Sequence, residues 1–249
     1  MTGARHRRLE ARLALRRLDD FVFGRLKNQY PRLLRVATSG CETLLDVGCG
    51  SESPIRSFSQ QMTRTVGVDL DRPSIEQSQA NGTHHEYIVM DVMDIGRVFS
   101  ERSFDAVLAS DLIEHLPKAD GNRLIEMMEG IAAKRVIIFT PNGFVPQNAD
   151  DHNQHQVHLS GWTADEMRMR GYDVIGVNGL KQLRGERAQV RWKPRLVWRT
   201  ISLLSQHLTT RRPERAFSIL CVKQIPETVD PQQSRSTNVI GRSDASEPV

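Results

Sequence analysis

Four carboxylates recur at the ends of short apolar runs, with two glycines and a group of histidines beside them. The first run, Leu44, Leu45, Asp46 and Val47, leads into Gly48, Cys49, Gly50 and Ser51. Glycines there let the chain bend sharply and let a ligand approach without a Cβ in the way. A helix starting after the turn would aim its positive end at that ligand. A dinucleotide fingerprint needs a third glycine at position 53, where Ser53 stands with Pro54 behind it. Asp46, just beneath the turn, is poorly placed for a pyrophosphate and suits a cationic ligand. The second run, Val66, Gly67 and Val68, ends in Asp69, where a carboxylate can accept from both hydroxyls of a ribose. Asp91 closes the third run, where an exocyclic adenine amine could donate to it. Asp111 closes the fourth, after Ser110 and just ahead of Glu114 and His115. Any one of these acids could cap a helix or sit on the surface. Four of them at the carboxyl ends of successive strands mark the edge where ligands of open α/β sheets bind.

These residues need a sheet to hold them in line. Short apolar runs at 43–47, 65–68, 86–90, 105–109 and 135–139 alternate with helix-like stretches, notably 74–80 after Pro73 and 121–133. That alternation predicts βαβ units and a sheet buried on both faces. A sixth strand fits 173–177, after a helix that Thr163 would cap, and a seventh fits 217–222. The fold class expected is α/β: a Rossmann-like, doubly wound, mostly parallel sheet of seven strands. Helices precede it, and a helical insert comes before the last strand. Residues 1–40 form the N-terminal helical segment, where Leu9, Leu13, Leu15, Leu18, Val22 and Leu26 recur at helical spacing. Pro31 is expected to separate a first helix from a shorter second one. The domain proper runs over 41–223. Its segment 179–215 is too long for a turn, and Leu196, Val197, Ile201, Leu204 and Leu208 make one helical face beside Trp198. From 224 to 249 the chain is rich in Ser, Pro, Thr and Gln, the composition of a disordered tail.

At 249 residues the chain can build one α/β core without staples. Three cysteines with no CxxC pair argue against a disulfide scaffold and fit a reducing, cytoplasmic compartment. No apolar run reaches the roughly 18 residues of a spanning helix, and the basic N-terminus lacks the apolar stretch of a secretory signal. Twenty-eight arginines against six lysines suggest a GC-rich bacterial genome. Charge is sharply partitioned. Residues 1–40 hold ten Lys/Arg against three Asp/Glu, 41–178 hold eleven against twenty-one, and 179–215 hold ten against two. An acidic centre is thus flanked by two basic segments, which read either as solvated helices or as surfaces for an anionic partner.

The blocks from 43 to 178 resemble class I S-adenosylmethionine-dependent methyltransferases of the bacterial small-molecule type. The resemblance includes Phe139, Thr140, Pro141 and Asn142 after the fifth strand, and His158 through Trp162 before the sixth. It implies S-adenosyl-L-methionine as cofactor. Gly48, Cys49 and Gly50 would border its methionine portion and Asp46 would lie near the amino end. Asp69 and Leu70 would hold the ribose, Asp91 and Val92 would frame the adenine, and Ser110 and Asp111 would line the far side. It also implies that 1–40 and 179–215 carry the substrate-specific parts. The expected reaction is O-methylation of a small-molecule or glycan/lipid-linked acceptor, with no metal ligand assigned.

An activated methyl donor asks the protein mainly for alignment, worth roughly 7–11 kcal/mol. A hydroxyl acceptor would also gain from a base; His115 and His158 are the candidates, with His155 alongside. Asp111, Glu114, His115 and His158 resemble, in addition, the metal site of small-RNA 3′-terminal ribose 2′-O-methyltransferases. That alternative would use the basic flanks to hold RNA phosphates. Here an Asp stands in place of the first Glu, and Ser160 and Gly161 replace the residues usual before the tryptophan. A third possibility is a catalytically silent cofactor-binding module. Finally, Arg191, Lys193, Arg195 and Arg199 flank the apolar stripe of the insert, so residues 190–210 could contact a membrane surface peripherally.

Overall fold

The computed structural model describes residues 29–147, 157–184 and 192–227. The helical periodicity expected before residue 29, His155 and the tail beyond 227 lie outside the described residues. The chain enters through α1 (Gln29–Ala37), with Pro31 inside its first turn, where proline is tolerated. Seven strands follow: β1 (Thr43–Val47), β2 (Arg64–Asp69), β3 (Glu86–Val89), β4 (Phe104–Ser110), β5 (Ala132–Pro141), β6 (Asp173–Leu180) and β7 (Ala216–Gln224). The helices between them are α2 (Arg72–Ala80), the single turn α3 (Ile95–Val98), α4 (Lys118–Ile131), α5 (Ala164–Met169), α6 (Arg195–Leu204) and α7 (Gln206–Thr210).

The sheet order is β3-β2-β1-β4-β5-β7-β6. All pairings are parallel except those of β7, which runs antiparallel between β5 and β6. The mostly parallel seven-stranded sheet read from the sequence is therefore observed. Both faces are covered. Leu45, Val47, Val107, Val136 and Ile138 pack under α4 with Leu124, Met128 and Trp162. Their alternates Leu44, Ala106, Leu108, Ile137 and Phe139 pack on the other side with Leu34, Ile55 and Phe58. Burial on two faces explains why these strands read as unbroken apolar runs rather than as alternation.

Local signals place the elements. Asp71 caps α2, its Oδ2 accepting from the Ser74 amide at 3.1 Å, and Pro73 sits in the first turn. Thr163 caps α5 as expected, accepting from the Glu166 amide at 3.2 Å. At the far end β7 continues to Gln224, and the Ile225 amide donates to the Lys134 carbonyl at 2.8 Å. No described helix is long and apolar enough to cross a membrane.

Candidate active site

Because β1, β2, β3 and β4 are parallel and in register, their carboxyl ends deliver Asp46, Asp69, Asp91 and Asp111 to one edge. A groove of about 640 Å³ opens there, lined among others by Gly48, Gly50, Asp69, Leu70, Asp91, Val92 and Asp111. The β1 turn is built on positive φ at Gly48 (69°) and Gly50 (56°). A Cβ on Gly48 would meet Leu112 Cδ1 at 2.6 Å, whereas one on Gly50 would meet nothing within 4 Å. Gly48 is thus needed for close packing, and Gly50 leaves the groove floor open. Asp69 ties the two strands together: Oδ2 accepts from the Gly50 amide at 2.8 Å and Oδ1 from the Asp71 amide at 2.9 Å.

Three expected groove residues lie elsewhere. Asp46 is enclosed beneath the turn, with Oδ2 accepting from Ser53 Oγ at 2.5 Å and paired with His84 Nε2 at 2.9 Å. It braces the turn from below rather than lining the groove. The Cys49 side chain turns inward, its Sγ about where a Cβ on Gly67 would press, and burial pushes its thiol up. Ser110 faces back towards α1, accepting from Tyr30 Oη at 2.8 Å, while the Tyr30 ring stacks on Phe139 at 3.9 Å.

A second cavity, about 340 Å³, adjoins the groove. It is lined by Glu114, Phe139, Val145, His158, Asn178 and Phe217 among others, and it shares Asp111 and His115 with the groove. His115 Nδ1 meets the Val157 carbonyl at 3.1 Å and His158 Nδ1 meets the Val145 carbonyl at 2.6 Å. A carbonyl only accepts, so both Nδ1 atoms carry a proton, which makes Nε2 the acceptor in the neutral form of either ring. Burial, with the neighbouring His158, holds His115 below its ordinary value despite the Val157 bond, and so favours the uncharged ring. Glu114 is buried between them. Its Oε2 accepts from Thr140 at 3.0 Å and its Oε1 has no partner. Burial and the nearby Asp111 raise the Glu114 carboxyl well above its ordinary range. Crowding by protein atoms likewise pushes Asp111 up to about 7, a shift tempered by the side chain's opening to both cavities.

Donor atoms of Glu114, His115 and His158 lie within 4.8 Å of one another. Asp111, one methylene shorter than the glutamate of the resemblance noted above, does not join this cluster. The segment bearing His158 is clamped by the Leu159 and Ser160 amides, which donate to the Glu114 carbonyl at 2.8 and 3.0 Å. Trp162 anchors its far end, Nε1 donating to Ser160 Oγ at 3.0 Å.

Residues 45–139 match the family model described as methyltransferase domain. Residues 45–139 thus carry a methyltransferase domain, and the chain shares the fold of S-adenosylmethionine-dependent methyltransferases. No curated protein matches it. Among solved structures, a SAM-dependent methyltransferase from Archaeoglobus fulgidus is similar over 80% of this chain and 93% of its own, at 16% identity and a TM-score of 0.53. The N-methyltransferase NodS from Bradyrhizobium japonicum, in complex with S-adenosyl-L-homocysteine, is similar over 81% and 87%, at 13% identity and a TM-score of 0.52. The [4+2]-cyclase SpnF is similar over 81% and 82%, at 14% identity and the same TM-score of 0.52. The groove fits S-adenosylmethionine. The floor is open at Gly50, and the walls are acidic where a cation and a ribose must be held. Ser51, Asp71, Ser74, Leu112, Leu116, Val157 and Leu159 also line the groove, although the sequence reading gave none of them a site role. Asp71 and Ser74, as a helix cap and its partner, carried a readable signal; the loop residues carried none.

Proposed function

We propose that the methyltransferase domain methylates a hydroxyl oxygen of a small-molecule or glycan/lipid-linked acceptor held in the 340 Å³ cavity. One observation supports this above the others: Asp111 and His115 line both the groove and the cavity. A hydroxyl at that junction meets the free Nε2 of a neutral imidazole. Bound in the groove, S-adenosylmethionine supplies an activated methyl group on its sulfonium. The chain's own work is to align the acceptor, exclude water and take the hydroxyl proton. His115 takes that proton, with His158 edge-on to it at a ring separation of 4.9 Å. The test is transfer of labelled methyl to polar and lipid-linked extract fractions. Label in an alkali-stable ether supports the reading; label confined to amines or esters overturns it.

A second reading is favoured by the Glu114, His115 and His158 cluster. Their donors would hold a divalent cation, which would polarise a ribose hydroxyl pair at the 3′ end of an RNA. The backbone carbonyls that fix both imidazoles are the outer contacts such a site uses. Transfer to a 3′-hydroxyl RNA oligonucleotide that stops on chelation and returns with manganese would select this reading. Unchanged transfer after chelation removes it.

A further inference from the structure

The helices α6 and α7 are amphipathic the wrong way round for a protein surface. Their inward face is mostly polar: Ser202, Ser205, Gln206 and Thr209 are buried, with Leu203 beside them. That face is stitched to β6 by hydrogen bonds. Gln206 Nε2 donates to the Gly176 carbonyl at 2.7 Å, Gln206 Oε1 accepts from the Gly179 amide at 2.9 Å, and Ser205 Oγ accepts from the Leu180 amide at 3.0 Å. The outward face is apolar. Val197, Ile201, Leu204 and Leu208 are 50%, 39%, 57% and 67% exposed, and their spacing keeps them on one helical stripe. Trp192, 55% exposed, continues the stripe with its ring against Trp198 at 5.9 Å.

Charge selects the partner. Residues 187–213 carry seven Lys/Arg and no Asp/Glu. Lys193, Arg211 and Arg212 are exposed around the stripe. A second copy docking through the same face would set this basic rim against itself. The N-terminal segment of the chain is basic as well. A flat anionic bilayer instead takes apolar side chains at its interface and basic ones at its head groups, with tryptophan favoured between them.

We propose that α6 and α7 form a docking face for an anionic lipid membrane. The face is argued from these helices alone and holds whatever the acceptor is. It lies beside Asn178, which lines the acceptor cavity, since a Cβ on the adjoining Gly179 would meet the Ser202 carbonyl at 2.2 Å.

The test is co-sedimentation of the full chain with vesicles of phosphatidylcholine alone and of phosphatidylcholine mixed with phosphatidylglycerol. Binding to the mixed vesicles, weakened by salt, is expected. Two variants read the two components: Ile201→Ser/Leu204→Ser/Leu208→Ser, and Arg211→Gln/Arg212→Gln. Each is expected to bind the mixed vesicles about tenfold less tightly or worse. Both substitute outward side chains, and thermal stabilisation by S-adenosylhomocysteine, unchanged, shows that each folds. Equal vesicle binding by wild type and variants overturns the proposal. So does a dimer in solution that the triple variant dissociates while no form binds vesicles, which would give the face to a second copy.

Discussion

His115 keeps its proton on Nδ1, against the Val157 carbonyl, and lines both the groove and the cavity. His115→Gln is expected to lower kcat by about 10²–10⁴-fold, the usual worth of a positioned base, with affinity for S-adenosylhomocysteine little changed. Burial sets this imidazole below its ordinary value of 6.5. Wild-type activity is therefore expected to be flat above that pH and to fall only as the pH drops below it, a limb that the variant lacks. Glu114 gives the opposite sign. Its carboxyl is raised, so the folded state holds a proton that the unfolded state has released above the ordinary value of 4.5. Stability is then lost as pH rises from there. Glu114→Gln keeps the Thr140 bond and should raise Tm at pH 8 by roughly 2–4 °C, about what 1 kcal/mol means for a chain of this size, with a smaller gain at pH 5. Calorimetry at both pH values checks it. Asp69, Asp91, Asp111 and His115 were legible in the sequence because strand ends announce them. Tyr30, Val145, Asn178 and Phe217 were not, because they come from segments far apart in the chain and meet only in the folded sheet.

The elements were legible where each had its own signal, and less so where tertiary contact decides. All seven strands stood out as apolar runs, yet β5 and β6 extend beyond them at their carboxyl ends, where Thr140, Pro141 and Leu180 pair with β7. The place of β7 between β5 and β6 had no local mark. Nor did the close seat of α7, which depends on a bare backbone at Gly176: a Cβ there would fall 2.1 Å from the Thr209 carbonyl. Gly176→Ala is expected to destabilise the fold by about 1–3 kcal/mol, as overpacking does, measured by urea denaturation. Gly121 on α4 is the parallel case, its Cβ position lying 2.6 Å from Trp162 Cζ2. Trp162 in turn lies 3.4 Å beneath the Lys118 ammonium, so this corner of the fold locks the far end of the His158 segment.

At the scale of the molecule, an acidic ligand edge sits within a basic chain of pI about 9.2. The domain should therefore prefer a cationic adenosyl cofactor to an anionic dinucleotide. S-adenosylhomocysteine at one hundred times its Kd is expected to stabilise the fold by about 2.7 kcal/mol, and NAD to leave Tm unmoved. Asp69→Ala should weaken the first effect roughly tenfold in Kd, the scale of a lost hydrogen bond to a charged group.

The two chambers meet through a narrow party wall, Asp111 and His115. The residues that line the smaller chamber alone, from Val145 and Gln147 to Asn178 and Phe217, stand clear of the groove. Swapping those residues should redirect what the enzyme accepts while leaving its donor handling intact, which makes the smaller chamber the natural place to re-engineer taste.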